Sequence, residues 1–162
     1  RRFAANVIKL NQMKPKVPKD YLKYWRVIRH FIKVKYGLTQ SDLDMILFLY
    51  SEGYFSKDKF AEFNALLSWE DKRFERLRQE EWIVVFRKHM GRRKALYELS
   101  YKSLRVVDLI YKKLSGEEIT EGPGNNPMFL KNVSYTDKVY RNFIMEMNKS
   151  IRQQRHLAPE SQ

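Results

Sequence analysis

The chain has 162 residues, 43% hydrophobic and 14% aromatic, with 6 glycines, 5 prolines and no cysteine. That size and apolar content suit one domain with its own core and exclude a disordered basic tail. The absence of cysteine excludes a disulfide scaffold, a thiol switch and a cysteine-rich zinc site, and no run approaches the roughly 18–20 apolar residues needed to cross a bilayer.

Lys and Arg number 32 against 19 Asp and Glu, a formal net charge of +13. Such a charge points to a polyanionic partner and says nothing of fold. Its distribution is uneven. Residues 1–38 hold 11 basic residues and 1 acid, whereas residues 39–101 hold 11 of each.

Residues 1–18 contain no acid and end between Pro15 and Pro18. They read as a basic arm, with Arg1, Arg2, Lys9, Lys14, Lys16 and Lys19 available to phosphates or to an acidic protein surface. The chain starts at Arg1 rather than Met, but the arm has no serine and only two arginines, so it does not read as a transit peptide.

Asp20 can cap a first helix over about 20–36. Tyr24, Trp25, Ile28, Phe31 and Ile32 share one face at helical spacing, which suits core or dimer packing better than a base-stacking platform. Gly37 ends it. Thr39 opens a second helix with Asp42 at the capping-box position, and its body is apolar nearly all round, as expected of a central helix. Ser56 caps a third helix, about 57–66, with Phe60, Phe63 and Leu67 inward. Ser68, with Asp71 completing a capping box, opens a fourth over about 69–81, with Phe74 and Leu77 inward.

A β-branched and aromatic run, Trp82–Phe86, a basic turn from Arg87 to Lys94 and a second run, Ala95–Leu99, predict a hairpin. Ser100 then starts a fifth helix with Leu104, Val107, Ile110, Tyr111 and Leu114 as its stripe. Residues 116–130 read as a loop or linker. A last helix, about 135–155 within a 131–162 segment, carries a seam of Tyr140, Phe143, Ile144, Met147 and Ile151. That seam can serve a partner chain or pack back on the first helix. The fold class is mainly α with a small β-hairpin wing: a winged helix-turn-helix over residues 19–115, flanked by N- and C-terminal helices.

The predicted outward face of the fourth helix holds Ser68, Trp69, Lys72, Arg73 and Arg76. Arginine there could bind guanine edges, although Glu70, Asp71 and Glu75 lie among the cations. Arg87, Lys88, His89, Arg92, Arg93 and Lys94 crowd the hairpin tip, where mutual repulsion is relieved by an anion. Nothing predicts catalysis, a metal or a cofactor. His30, His89 and His156 fall in separate elements, Asp42 and Asp44 lie on different helix faces, and Gly122-Pro-Gly124 lacks the Lys-Ser/Thr sequel of a phosphate loop.

Over about residues 20–115 the chain resembles the MarR family of dimeric regulators. The resemblance is carried by Tyr36-Gly-Leu-Thr39 followed by Leu43, Ile46 and Leu47, and by Arg76-Leu77 running into Trp82-Ile83. In the wing, the pattern D-x-R-x-x-L-x-x-L-T falls on Gly91, Arg93, Leu96, Leu99 and Ser100, with Gly91 standing for the acid. The resemblance implies a cytoplasmic, non-enzymatic homodimer joined by its terminal helices and acting on double-stranded DNA. It assigns Arg93 to the minor groove and the fourth helix to the major groove. The composition also allows another expectation: a virion component or nucleoprotein factor using the same fold and basic arm to hold neighbouring proteins or packaged nucleic acid.

Overall fold

In the computed structural model the described residues are 20–157, and the basic arm at 1–18, together with Lys19, lies outside them. Helix α1 spans Tyr21–Tyr36, with the Asp20 side chain accepting from Lys23 N at 3.1 Å and Gly37 closing it at φ 65°. Helix α2, Gln40–Glu52, starts at Thr39, whose Oγ1 accepts from Asp42 N at 3.1 Å. A two-residue strand β1, Tyr54–Phe55, precedes α3, Lys57–Asn64, which Ser56 caps. Helix α4 covers Arg73–Gln79; strands β2, Ile83–Arg87, and β3, Leu96–Leu99, form the hairpin; and α5, Tyr101–Leu114, follows the Ser100 cap. A 3-10 turn at Pro127–Phe129 leads to α6, Tyr135–Leu157.

The sheet is antiparallel, in the order β1-β3-β2, with Tyr54 opposite Glu98 and Glu98 opposite Val84. Helices α2, α3 and α4 followed by this sheet make a winged helix. Strand β1 was not expected from the sequence, because two residues carry no period. It is recruited by the free edge of β3, and Tyr54 stacks on Phe86 at 3.9 Å.

The core runs through the domain without a break. Ile28, Phe31 and Ile32 of α1, Leu43, Ile46 and Leu49 of α2, Leu77 of α4, and Val106, Val107 and Ile110 of α5 are all buried. Trp82 is 2% exposed and carries the Lys102 ammonium 3.8 Å over its ring, a cation–π contact on a buried aromatic. Among the described residues no helix is long and apolar enough to cross a membrane.

One expectation needs correction, and two that the sequence left open are narrowed. The buried stripe of α5 is Ser103, Val106, Val107, Ile110 and Lys113, so Leu104 and Tyr111 stand outside it. Lys113 is accommodated because its stem is apolar and its ammonium reaches Glu117 Oε1 at 2.7 Å and the Glu118 carbonyl at 2.6 Å. The 116–130 segment is not a free linker. The Asn148 side-chain amide pairs with both backbone groups of Ile119, at 2.9 and 2.7 Å, and Ile119, Asn126 and Met128 are buried. Finally, Ile144, Met147 and Ile151 of the predicted seam are buried within their own chain. They lie in the single core that α1, α5 and α6 share, and His30 stacks on Tyr140 at 3.9 Å while its Nε2 lies 2.8 Å from Asp137 Oδ1.

Candidate nucleic-acid interface

The resemblance to the MarR family implies that α4 presents its cations outward. It does not. Arg73 is 1% exposed. Its Nε donates to Asp42 Oδ1 at 3.2 Å, one terminal nitrogen donates to the Asn64 side-chain carbonyl, and the other donates to the Ser68 carbonyl at 3.0 Å and to Ser68 Oγ at 3.2 Å. Arg76 donates to Asp42 Oδ1 at 2.7 Å and grips Glu70 through two bonds, at 2.7 and 3.0 Å. A charge buried this deeply is tolerated only when paired and hydrogen-bonded, and each guanidinium nitrogen of Arg73 has a partner.

The electrostatics follow that geometry. The hydrogen bond from Arg76 is the largest influence on Glu70 and holds its carboxyl below the ordinary range. In return, the bonds to Glu70 and then Asp42 push the Arg76 guanidinium above its ordinary value. Both cations are spoken for by protein carboxylates.

The expected outward positions of Arg73 and, in large part, Arg76 are therefore corrected. The reason is local. The fourth helix begins at Arg73 rather than 69, with Lys72 at its cap position and no side-chain cap. Ser68 does not cap it, because its Oγ lies 2.7 Å from Ser41 Oγ and receives Arg73. Residues 65–72 fold across the guanidinium instead of extending the helix. Asp42, expected only as a capping-box partner, supplies the buried carboxylate.

What remains outward at this end is Trp69, 83% exposed, with Leu66 at 74% and the charged pair Asp71 and Lys72. Ser68 is exposed as well. Arg78 is half-buried, with its guanidinium over the Tyr97 ring at 5.3 Å, and Glu75 pairs with Lys57 at 3.5 Å.

The wing keeps more of its charge. Its turn is the two residues Gly91–Arg92, closed by Met90 N to Arg93 O at 3.0 Å and the reverse bond at 2.9 Å. Gly91 sits at φ 57°, which a side chain strains, so glycine stands where the resembled pattern has an acid. Lys94 is neutralised by Asp58 at 2.6 Å, and that bond raises the ammonium's pKa and lowers the carboxyl's. Arg87 is half-buried and donates to the Lys94 carbonyl at 3.1 Å, while its Nε is buried with no hydrogen-bond partner. Lys88, Arg92 and Arg93 are exposed, and among the described residues no carboxylate lies within ion-pairing distance of them.

A second surface lies between α1 and α6. A groove of about 420 Å³ is lined by Leu22, Lys23, Arg26, Val27, Tyr140 and Phe143. Tyr140 and Phe143 are thus the part of the predicted seam that still faces outward. Among the described residues no group of His, Asp or Glu could hold a metal ion.

No family model matches the chain, and no curated relative matches it in sequence. Solved structures do. RV1404 from Mycobacterium tuberculosis is 16% identical, over 80% of this chain and 83% of that one, with a TM-score of 0.45. A mutant MarR from E. coli complexed with operator DNA is 11% identical, over 90% and 91%, with a TM-score of 0.41. AbfR of Staphylococcus epidermidis is 16% identical, over 96% and 88%, with a TM-score of 0.36. The winged-helix assignment stands on the chain's own element order and sheet register.

Proposed function

We propose that this protein binds double-stranded DNA as a MarR-like winged-helix regulator, working as a homodimer and without catalysis. The observation that carries the reading is the wing: Lys88, Arg92 and Arg93 stand on or beside a tight, defined turn, and among the described residues no carboxylate lies within ion-pairing distance of them. Clustered cations of this kind are relieved by phosphate, and their counterion release makes binding steeply salt-dependent.

The wing tracks phosphates and the adjoining minor groove, while α4 approaches the major groove with Trp69 and Lys72 in front. Since Arg73 and Arg76 are held internally, phosphate contact outweighs guanine readout, and much of the affinity is indifferent to sequence. The arm at 1–18, which lies outside the described residues, adds further phosphate contacts. The apolar groove at Leu22, Tyr140 and Phe143 takes a second copy of the chain, giving a two-fold dimer with two wings.

The test is a titration of labelled duplex DNA with the purified protein, together with its mass by sedimentation. The expected result is a dimer that shifts the duplex at low salt and releases it as salt rises. A monomer that leaves duplex DNA unshifted overturns the reading and leaves the assembly role as the remaining use of this fold.

A further inference from the structure

Trp69 is 83% exposed, and among the described residues its indole has neither a ring partner nor a hydrogen-bond partner. Leu66, on the same α3–α4 turn, is 74% exposed. An indole left in water is a large apolar surface whose contact value is unspent.

The backbone carrying it is fixed. Arg73 donates to the carbonyl of Ser68, the residue before Trp69, at 3.0 Å. Asn64 donates through Nδ2 to the carbonyl of Glu70, the residue after it, at 3.2 Å. Ser68 Oγ also lies 2.7 Å from Ser41 Oγ, and the Glu70 carboxylate is gripped by Arg76. Arg73 on one side and Asn64 on the other fix the backbone that carries the solvent-exposed indole, which preorganises its position for contact.

Its position indicates what it contacts. Trp69 lies in the turn that leads into α4, which starts at Arg73, and in helix-turn-helix proteins the end of the second helix that this turn feeds meets base edges in the major groove. With the Arg73 and Arg76 guanidinium groups committed to Asp42 and Glu70, bidentate arginine contact to guanine is disfavoured there. The surrounding charge is balanced: Arg76 neutralises Glu70, and exposed Asp71 stands beside exposed Lys72. The surface is apolar and near neutral, which suits the one apolar landmark in the major groove, the C5 methyl of thymine.

We infer that Trp69, supported by Leu66, reads thymine methyl groups in duplex DNA. This rests on the DNA-binding reading above and names the part of the duplex that the same site selects.

The experiment compares an alternating A·T duplex of about two helical turns with its A·U counterpart, which differs only in lacking the methyls. Fluorescence anisotropy at fixed salt gives both affinities. The wild-type protein is expected to bind the thymine duplex more tightly, by about fourfold for each methyl buried. Trp69→Ala, a substitution at an exposed site, is expected to bind both duplexes equally. Equal wild-type affinity for the two overturns the methyl reading while leaving DNA binding intact, and so does discrimination that survives in Trp69→Ala. Failure to bind either duplex overturns the DNA reading itself, and this inference with it.

Discussion

Arg73 and Asp42 form a buried ion pair that fastens α4 to the first turn of α2, with Nε to Oδ1 at 3.2 Å and both side chains 2% exposed. Arg76 shares the same carboxylate oxygen at 2.7 Å. One carboxylate thus restrains two guanidinium groups, and its loss takes the buried anion from Arg73 while Arg76 keeps Glu70. Asp42→Ala should destabilise the protein by about 3–5 kcal/mol, measured as the shift in urea unfolding. A loss below about 1 kcal/mol, the scale of an exposed pair, would contradict the structural role assigned to the network.

Acid should weaken the same network in a definite direction. The folded-state pKa of Glu70 lies below its unfolded value because Arg76 hydrogen-bonds its charged form. Its contribution is therefore complete above the ordinary carboxylate range, and it is lost as pH falls through the depressed folded value. Stability should decline below about pH 4, and Glu70→Gln should reduce that decline. Unfolding midpoints collected across this range provide the check. An unchanged acid profile in Glu70→Gln would count against the pairing.

The order of elements was legible in the sequence because its signals are local. Asp20, Thr39, Ser56 and Ser100 cap the helices that they appeared to cap, and the β-branched run at 83–85 forms a strand. The burial of Arg73 was not legible, because it depends on Asp42, thirty-one residues away, and on Asn64. Helical period alone placed Trp69, Arg73 and Arg76 on one outward face. That holds only if the helix starts at 69, and the guanidinium's demand for the Ser68 carbonyl prevents it. An acid inside a helix apolar nearly all round was the available hint, and capping had already accounted for it.

Glu81 sits at φ 62°, the one described non-glycine residue in the left-handed region. It lies after the α4 cap, where the chain reverses so that Trp82 N can donate to the Leu77 carbonyl at 2.8 Å. A side chain in this conformation costs roughly 1–2 kcal/mol, and glycine recovers it less its larger unfolded-state entropy. Glu81→Gly should raise the thermal midpoint, and Glu81→Val should lower it. The reverse ranking would show that the turn is not strained.

The 116–130 segment depends on Asn148. Its side chain accepts from Ile119 N at 2.9 Å and donates to Ile119 O at 2.7 Å in a buried site. Asn148→Leu should cost about 1–3 kcal/mol for each of the two backbone groups it leaves unpaired. It should also speed hydrogen exchange at the Ile119 amide. Unchanged exchange there would mean that other contacts hold the segment on α6.

On the DNA-binding proposal, the free wing cations contribute more of the attraction than the internally held Arg73 and Arg76 of α4. The most direct measurement is the slope of log affinity against log salt for wild-type protein and for a triple variant, Lys88→Ala, Arg92→Ala and Arg93→Ala, on the same duplex. Each phosphate contact adds about 0.9 to that slope. The account predicts that the variant stays folded while its slope falls by about 2–3 units. A folded variant that keeps the wild-type slope would contradict it.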